Sequence, residues 1–187
     1  FVRSIQSFDT KYDLGRAAAG SDTADFSNFT AQENTGKRLF LNPPRFDANS
    51  ERIAGGLGCN GCHNAPEFDI DPNSKSNGIG GSLAGGPDPT NTRAPSLRNL
   101  TNAAGEVNGP MMHTAVITDL QAAIGHYGNL TNAAANNTNL DPRLKPNGSS
   151  GQQLHLNAME INSMIAFLKT LSGSDVYTNA KWSNPFP

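Results

Sequence analysis

The chain has 187 residues, of which 36% are hydrophobic and 16% charged, and its formal net charge is −2. Much of the remaining sequence consists of residues that favour turns: 19 Gly, 12 Pro and 22 Asn. We therefore expect a loop-rich domain with a small core. The near-neutral charge offers no basic surface to nucleic acid, and no apolar run reaches the ~18 residues needed to cross a bilayer.

The opening residues predict a helix that begins without a cap. Four apolar residues recur there at helical spacing: Phe1, Ile5, Phe8 and Tyr12. The abrupt start leaves two interpretations open, the frayed end of a mature protein or a fragment of a longer one. After Gly15, small and polar residues predict a linker, so residues 1–29 together form a predicted lead-in region.

The second predicted helix begins after Thr30, because Thr30 and Glu33 have the spacing of a capping box. We expect it to run to about Leu41 and to end before the Pro43-Pro44 pair, since a residue before proline disfavours the helical conformation. Long turn-rich stretches follow, over residues 42–58 and 64–110.

A third helix is predicted from Asp119 to about Tyr127, with Thr118 as its cap and Gly128 as its end. The last helix is capped by Asn157 and should end at Gly173. Its apolar stripe has helical spacing: Ile161, Met164, Ile165, Leu168 and Leu171. With no hairpin pattern elsewhere, the predicted class is mainly α with long Gly/Asn/Pro-rich loops.

The two cysteines of the chain, Cys59 and Cys62, stand three positions apart and are followed by His63. This spacing is the attachment signature of c-type haem, because both thiols can add to one porphyrin while the adjacent imidazole reaches its iron. A zinc site would need more ligands, a thioredoxin-like pair would need a βαβ unit, and a disulfide would leave His63 unexplained. The sequence therefore predicts one covalent haem c, with His63 as the proximal ligand.

A buried haem would also explain how a weakly hydrophobic chain folds, because loops can wrap around the cofactor. Gly36 stands four positions before Phe40 on the second helix, a pattern typical of cytochromes c. In that pattern the glycine lets the last helix cross closely, and residues 161–171 are the expected partner. Ordinary packing is the alternative interpretation, and both place Gly36 and Phe40 in the core.

The sixth ligand of the iron decides the function, since a Met gives an electron carrier whereas an open position permits peroxide or gas chemistry. Met111 and Met112 follow Pro110 in a loop far enough beyond His63 for the chain to return on the other face of a haem. The residues alone do not distinguish between them. Core packing is expected for Met159 and Met164, and surface or hydrogen-bonding roles are expected for His126 and His155.

Several runs in order resemble the electron-transfer domain of the bacterial di-haem cytochrome c peroxidases and the related methylamine-utilisation di-haem enzymes. The runs are Arg-Ala-Pro-Ser-Leu-Arg-Asn at 93–99, Gly-Pro-Met-Met-His at 109–113, residues 120–127 and residues 161–171. The resemblance implies a cytochrome c-like fold and assigns the distal ligand to Met112, with Met111 as the alternative. Thr-Ala after His113 replaces the family's acidic or amide residue and Gly, so the turn there is expected to differ.

The same resemblance implies a domain layout and two minor sites. Residues 1–29 would end a missing first domain, residues 30–175 would form the haem domain and residues 176–187 a surface tail. Arg98 would neutralise a haem propionate, with a solvated surface Arg as the alternative. Calcium is a weaker expectation, through backbone carbonyls around Arg93 and Pro95.

One haem motif instead of the family's two predicts the electron-accepting half of a di-haem peroxidase-like protein, without the peroxide-reactive haem. Expected partners are a soluble donor, such as a small cytochrome or copper protein, and a second haem domain or chain. The expected compartment is the periplasm or cell exterior. The alternative is a self-sufficient mono-haem peroxidase or a small-gas-binding module, so whether the chain alone is an enzyme stays open.

Overall fold

The computed structural model describes residues 7–70, 73–81, 85–86, 88–90 and 93–182. Within them lie six helices: α1 Lys11–Ala19, α2 Ala31–Leu41, α3 Leu120–Gly128, α4 Thr131–Asn136, α5 Ala158–Lys169 and α6 Asp175–Thr178. Four short strands pair as two antiparallel ladders: β1 Pro44–Phe46 with β2 Arg52–Gly55, and β3 His63–Asn64 with β4 Asp69–Ile70. None of these helices is long and apolar enough to cross a membrane.

The prediction of a mainly α, cytochrome c-like domain is wrong. Helix accounts for 36% of the structure and strand for 11%, which makes this a small mixed α/β fold. The strands have two to four residues each, and single bridges such as Ser76 with Leu140 tie the loops together. Strands this short carry no alternating apolar pattern, so periodicity in the sequence does not reveal them.

The helix crossing predicted at Gly36 is confirmed. An added Cβ at Gly36 would stand 1.9 Å from the Ser163 carbonyl oxygen and 2.7 Å from the Phe167 Cβ, so α2 and α5 meet there at backbone distance. Phe40 lies one turn further along α2 and is fully buried. Only glycine permits this approach, because any side chain would force the two helices apart.

An aromatic cluster forms the centre of the core. Its five rings are almost completely buried: Tyr12, Phe26, Phe40, Phe68 and Phe167. Tyr12 and Phe68 meet edge to face at 4.8 Å between ring centroids, the arrangement that the ring quadrupoles favour. These residues come from α1, α2, α5 and the loops, so the core joins segments that are far apart in sequence.

The predicted lead-in region contributes to this core. Residues 1–6 of the predicted opening helix lie outside the described residues, and the helix α1 begins only at Lys11, after a Thr10–Asp13 capping box. It continues past Gly15 to Ala19, where a linker was predicted. Asp13 on α1 forms an ion pair with Arg98, with 2.8 Å between the closest nitrogen and oxygen.

The starts of the other predicted helices agree with the sequence to within about one residue, but α5 ends at Lys169, several residues before the predicted stop at Gly173. The capping boxes of Thr30 and Asn157 are both present. Helix α3 begins one residue later than predicted, because Asp119 and not Thr118 caps it, by accepting from the Ala122 amide at 2.7 Å. The helices α4 and α6 were not predicted, since both are short and lack a capping side chain.

We expect the substitution Gly36→Ala to lower the free energy of unfolding by about 3 kcal/mol, because the new methyl group would collide with the backbone of α5. Chemical denaturation measures this change. The matched control is Gly125→Ala on α3, where an added Cβ meets nothing within 4 Å and the higher helix propensity of Ala should raise stability. Equal effects of the two substitutions would contradict the close crossing.

Candidate functional site

The cysteine motif lies in a tight turn that leads into a strand. Gly58 takes a left-handed backbone with φ 71°, and a 3-10 turn then covers Cys59–Gly61. The Cys62 amide donates to the Cys59 carbonyl at 3.1 Å, which closes the turn. His63 follows at once in β3, opposite Ile70 of β4, so the ladder fixes the backbone of the histidine.

Cys59 and Cys62 do not form a disulfide, and Cys59 packs against the hydrophobic core. Burial raises the pKa of the Cys59 thiol to about 12. A thiol with such a pKa stays protonated at neutral pH as long as no group is bound to it.

The imidazole of His63 is oriented by a backbone carbonyl. Its Nδ1 lies 2.9 Å from the Pro95 carbonyl oxygen, which can only accept, so Nδ1 carries the proton. Burial lowers the pKa of His63, and the carbonyls of Pro95 and Phe68 offset part of that effect. The neutral ring therefore carries its lone pair on Nε2, the form in which histidine binds a metal.

An ion pair between a buried carboxylate and a partly exposed arginine ties the cysteine turn to a neighbouring loop. Arg143 donates from Nη1 to the Gly61 carbonyl at 2.6 Å and from Nε and Nη2 to the two oxygens of Asp141 at 2.8 and 2.7 Å. Asp141 is 3% exposed and also accepts from the Lys75 amide at 2.7 Å. Burial raises the pKa of Asp141, but the bonds from Arg143 and Lys75 outweigh it and lower that pKa.

The two methionines of the loop have different surroundings. Met111 pairs with Ile117 through a backbone bond of 2.6 Å, and its side chain packs against the core. Met112 takes a left-handed backbone with φ 64°, which is uncommon for a residue other than glycine. Ala115 also takes a left-handed backbone, at the position where the resembled family has Gly. The turn therefore differs from the family pattern in having an alanine in a conformation that favours glycine.

Asn77 and Tyr127 connect Met112 with the cysteine motif. The Asn77 amide nitrogen lies 3.2 Å from the Met112 sulfur and 3.4 Å from the Tyr127 hydroxyl oxygen. Burial raises the pKa of Tyr127 to about 12, and the nearby Cys59 and Cys62 add to this rise. Asn77 thus joins the loop methionine to a phenol whose pKa the cysteines influence.

Arg98 lies away from solvent, with 8% of its side chain exposed, so the alternative of a solvated arginine is excluded. Its guanidinium donates to both Asp13 oxygens and to the carbonyls of Ser7 and Pro66, and it lies over the Phe8 ring. These contacts tie α1 to the loops. Its predicted role beside a haem propionate stays a prediction.

The other predicted candidates have different surroundings. His126 donates from Nε2 to the Asn77 carbonyl at 2.9 Å, and His155 is exposed beside Glu51. Met164 is buried in the core as expected, but Met159 is 74% exposed, so the core role predicted for it is wrong. A calcium site around Arg93 and Pro95 stays a prediction; the Pro95 carbonyl already accepts from His63.

The donor set fits a c-type haem. Among the described residues no group of three or more His, Cys, Asp or Glu side chains could hold a bare metal ion. What the motif offers is one histidine with its lone pair on Nε2, two adjacent thiols and a thioether that accepts a hydrogen bond from Asn77. Partly buried apolar side chains lie beside the core on this part of the chain: Leu97, Leu100, Val107, Met111 and Tyr127.

The sequence motif predicts roles for the cysteines and His63, and the resemblance predicts one for Met112, but neither predicts the residues that contact them. Asn77 stands in a Gly- and Asn-rich stretch without a period, and Tyr127 reads as an ordinary helix residue. Arg143 follows an Asp-Pro pair, a sequence typical of a turn, which could have suggested its bond to Asp141.

A MauG-like protein associated with microbial copper homeostasis has a solved structure with the same fold. The likeness has a TM-score of 0.56 and 22% sequence identity, and it covers 96% of this chain and 56% of that one. The chain therefore spans about half the length of this neighbour. No protein-family model and no curated protein matches the sequence. The likeness is one of fold, and at that level it agrees with the predicted resemblance.

We expect Arg143→Gln to destabilise the protein by about 2 kcal/mol at pH 7, because it leaves the buried Asp141 carboxylate without its partner. The lowered pKa of Asp141 contributes stability above its unfolded value of about 3.9, and that stability is lost as the pH falls through the folded pKa. The substitution should raise this pKa, so acid unfolding should begin at a higher pH.

Circular dichroism between pH 7 and pH 3 measures this shift. The control is Arg38→Gln, which removes an exposed ion pair with Asp25 and should cost at most about 0.5 kcal/mol. Superimposable acid profiles for the two variants would contradict the role of Arg143.

Proposed function

We propose that this chain holds one covalent haem c and performs one-electron transfer. Cys59 and Cys62 would be its thioether anchors, His63 the proximal ligand and Met112 the distal ligand. The observation that carries the proposal is the contact of Asn77 with both the Met112 sulfur and the Tyr127 hydroxyl, a phenol within electrostatic range of Cys59 and Cys62. The shared fold with a MauG-like protein supports it.

Bound haem iron would supply a reversible one-electron couple, and the chain sets the conditions for it. His63, neutral and oriented by Pro95, presents Nε2 as a strong and fixed donor. Met112 presents a thioether, a soft and weak donor that favours the reduced metal. The Arg143 bond to the Gly61 carbonyl holds the anchoring turn against the rest of the fold.

Met112 is the better supported of the two methionines. The Met111 side chain packs against the core, and its backbone is held in a bridge with Ile117, so it already has a structural role. The left-handed backbone of Met112 turns the chain at this point, and its sulfur meets the Asn77 amide. Such strain in a residue other than glycine is often found at functional sites.

The proposal extends to a larger assembly. The chain spans about half of its structural neighbour, which is compatible with one half of a longer protein. The sequence resemblance assigns it to the carboxy-terminal, electron-accepting half of a di-haem peroxidase-like protein. A soluble donor protein would deliver electrons and a second haem domain or chain would receive them. Residues 30–175 would form the haem-binding part, and the protein would work outside the cytoplasm, as in the periplasm.

Substitution of each methionine separately tests the distal ligand. We expect the oxidised wild-type protein to be low-spin, with the charge-transfer band of a methionine–iron bond, and we expect Met112→Ala to abolish the band. Met111→Ala should keep the band and instead lower the free energy of unfolding by about 2 kcal/mol, since it removes a half-buried side chain. Loss of the band only in Met111→Ala would contradict the assignment.

Carbon monoxide and peroxide test the function itself. A site closed by Met112 should leave the spectrum of the reduced protein unchanged under carbon monoxide, and the chain alone should turn over hydrogen peroxide slowly. The measurements are optical titration and steady-state turnover with an electron donor. A high-spin protein that binds carbon monoxide, or turnover as fast as that of a two-haem enzyme, would favour a mono-haem peroxidase or gas-binding module instead.

A further inference from the structure

Asn77 lies on a segment, residues 74–79, that we call the strap. Buried polar contacts hold its backbone. Ser76 is fully buried, bridges to Leu140, and its hydroxyl accepts from the Asn137 amide at 2.7 Å. The Lys75 amide donates to Asp141 at 2.7 Å. The strap is therefore fixed immediately before Asn77, and the side chain of Asn77 starts from a held backbone.

The hydrogen bonds of Asn77 also fix which way its amide faces. The Ile79 amide donates to Oδ1 of Asn77 at 3.0 Å, so Oδ1 must be the acceptor and Nδ2 the donor on the other side. Nδ2 has two hydrogens, and it meets two acceptors: the sulfur of Met112 at 3.2 Å and the hydroxyl of Tyr127 at 3.4 Å. His126 anchors the backbone of the same residue through its carbonyl at 2.9 Å.

A hydrogen bond to a thioether sulfur competes with the binding of that sulfur to a metal, because both use its lone pairs. The sulfur has two lone pairs and is a weak acceptor. If one pair is given to a metal, the other becomes a poorer acceptor, and more so when the metal is oxidised. A bond from Asn77 would therefore stabilise Met112 more when the sulfur is unbound than when it is bound, and more in the reduced than in the oxidised state.

We propose that Asn77 is a positioning residue for Met112, which holds the thioether sulfur and raises the reduction potential of the site. The inference rests on the proposed function, because it takes Met112 as the distal ligand. Asn77 acts only through the sulfur and does not contact a reacting group. The proposed roles of the two cysteines and His63 in holding the haem do not depend on whether Asn77 positions Met112.

The test compares Asn77→Ser and Asn77→Ala in the haem-loaded protein. The Ser hydroxyl can still accept from the Ile79 amide and keep the turn, but it is too short to reach Met112. Ala loses both contacts. Asn139→Ala is the matched control, since Asn139 lies beside the strap and its amide donates to the Pro89 carbonyl. The readouts are the equilibrium reduction potential and the titration of the oxidised protein with imidazole, which competes with Met112.

Both Asn77 variants should keep the charge-transfer band, have a lower potential than wild type and bind imidazole about fivefold more weakly, the equivalent of a hydrogen bond of ~1 kcal/mol. Asn139→Ala should match wild type in both readouts. Unchanged potential and imidazole affinity in Asn77→Ser, or a shift in Asn77→Ala alone, would overturn the inference. A wild-type protein without the band would overturn the proposed function and this inference with it.

Discussion

The buried Asp141 carboxylate is the interaction on which the site depends. It accepts from Arg143, which holds the Gly61 carbonyl of the cysteine turn, and from the Lys75 amide at the start of the strap. One charged group therefore sets the separation between the turn with the cysteines and the segment that carries Asn77 to Met112. Loops without regular structure need such a fixed point, because they have no ladder or helix to place their side chains.

The high asparagine content also follows from the need to hold loops that have no regular secondary structure. A loop that packs into a core must satisfy its backbone N–H and C=O groups, and asparagine supplies both a donor and an acceptor. Asn34 bonds both the amide and the carbonyl of Phe26, and Asn99 joins Ser7 to the Gly173 amide. Asn77 does this for the strap and also meets a methionine sulfur. Side-chain amides therefore replace much of the secondary structure that the mixed α/β fold lacks.

Sequence reasoning predicted the parts of this molecule that have a local cause. Capping boxes correctly predicted where the helices α2 and α5 begin, and the spacing of Gly36 and Phe40 correctly predicted that these helices cross closely. The short strands, the fold class and the packing of α1 into the core were missed, because they depend on contacts between distant residues. The same holds for the candidate site: the motif names Cys59 and His63, whereas Asp141, Arg143 and Asn77 act through hydrogen bonds that no spacing encodes.

The central claim is that Cys59 and Cys62 carry one haem through two thioether bonds. Intact-protein mass spectrometry of the chain, produced with the haem-attachment machinery and then denatured, tests this most directly. We expect a single species with the mass of the chain plus one haem, and a Cys59→Ala, Cys62→Ala double variant with the mass of its chain alone. Wild-type protein at the mass of the bare chain, or haem that dissociates on denaturation, would contradict it.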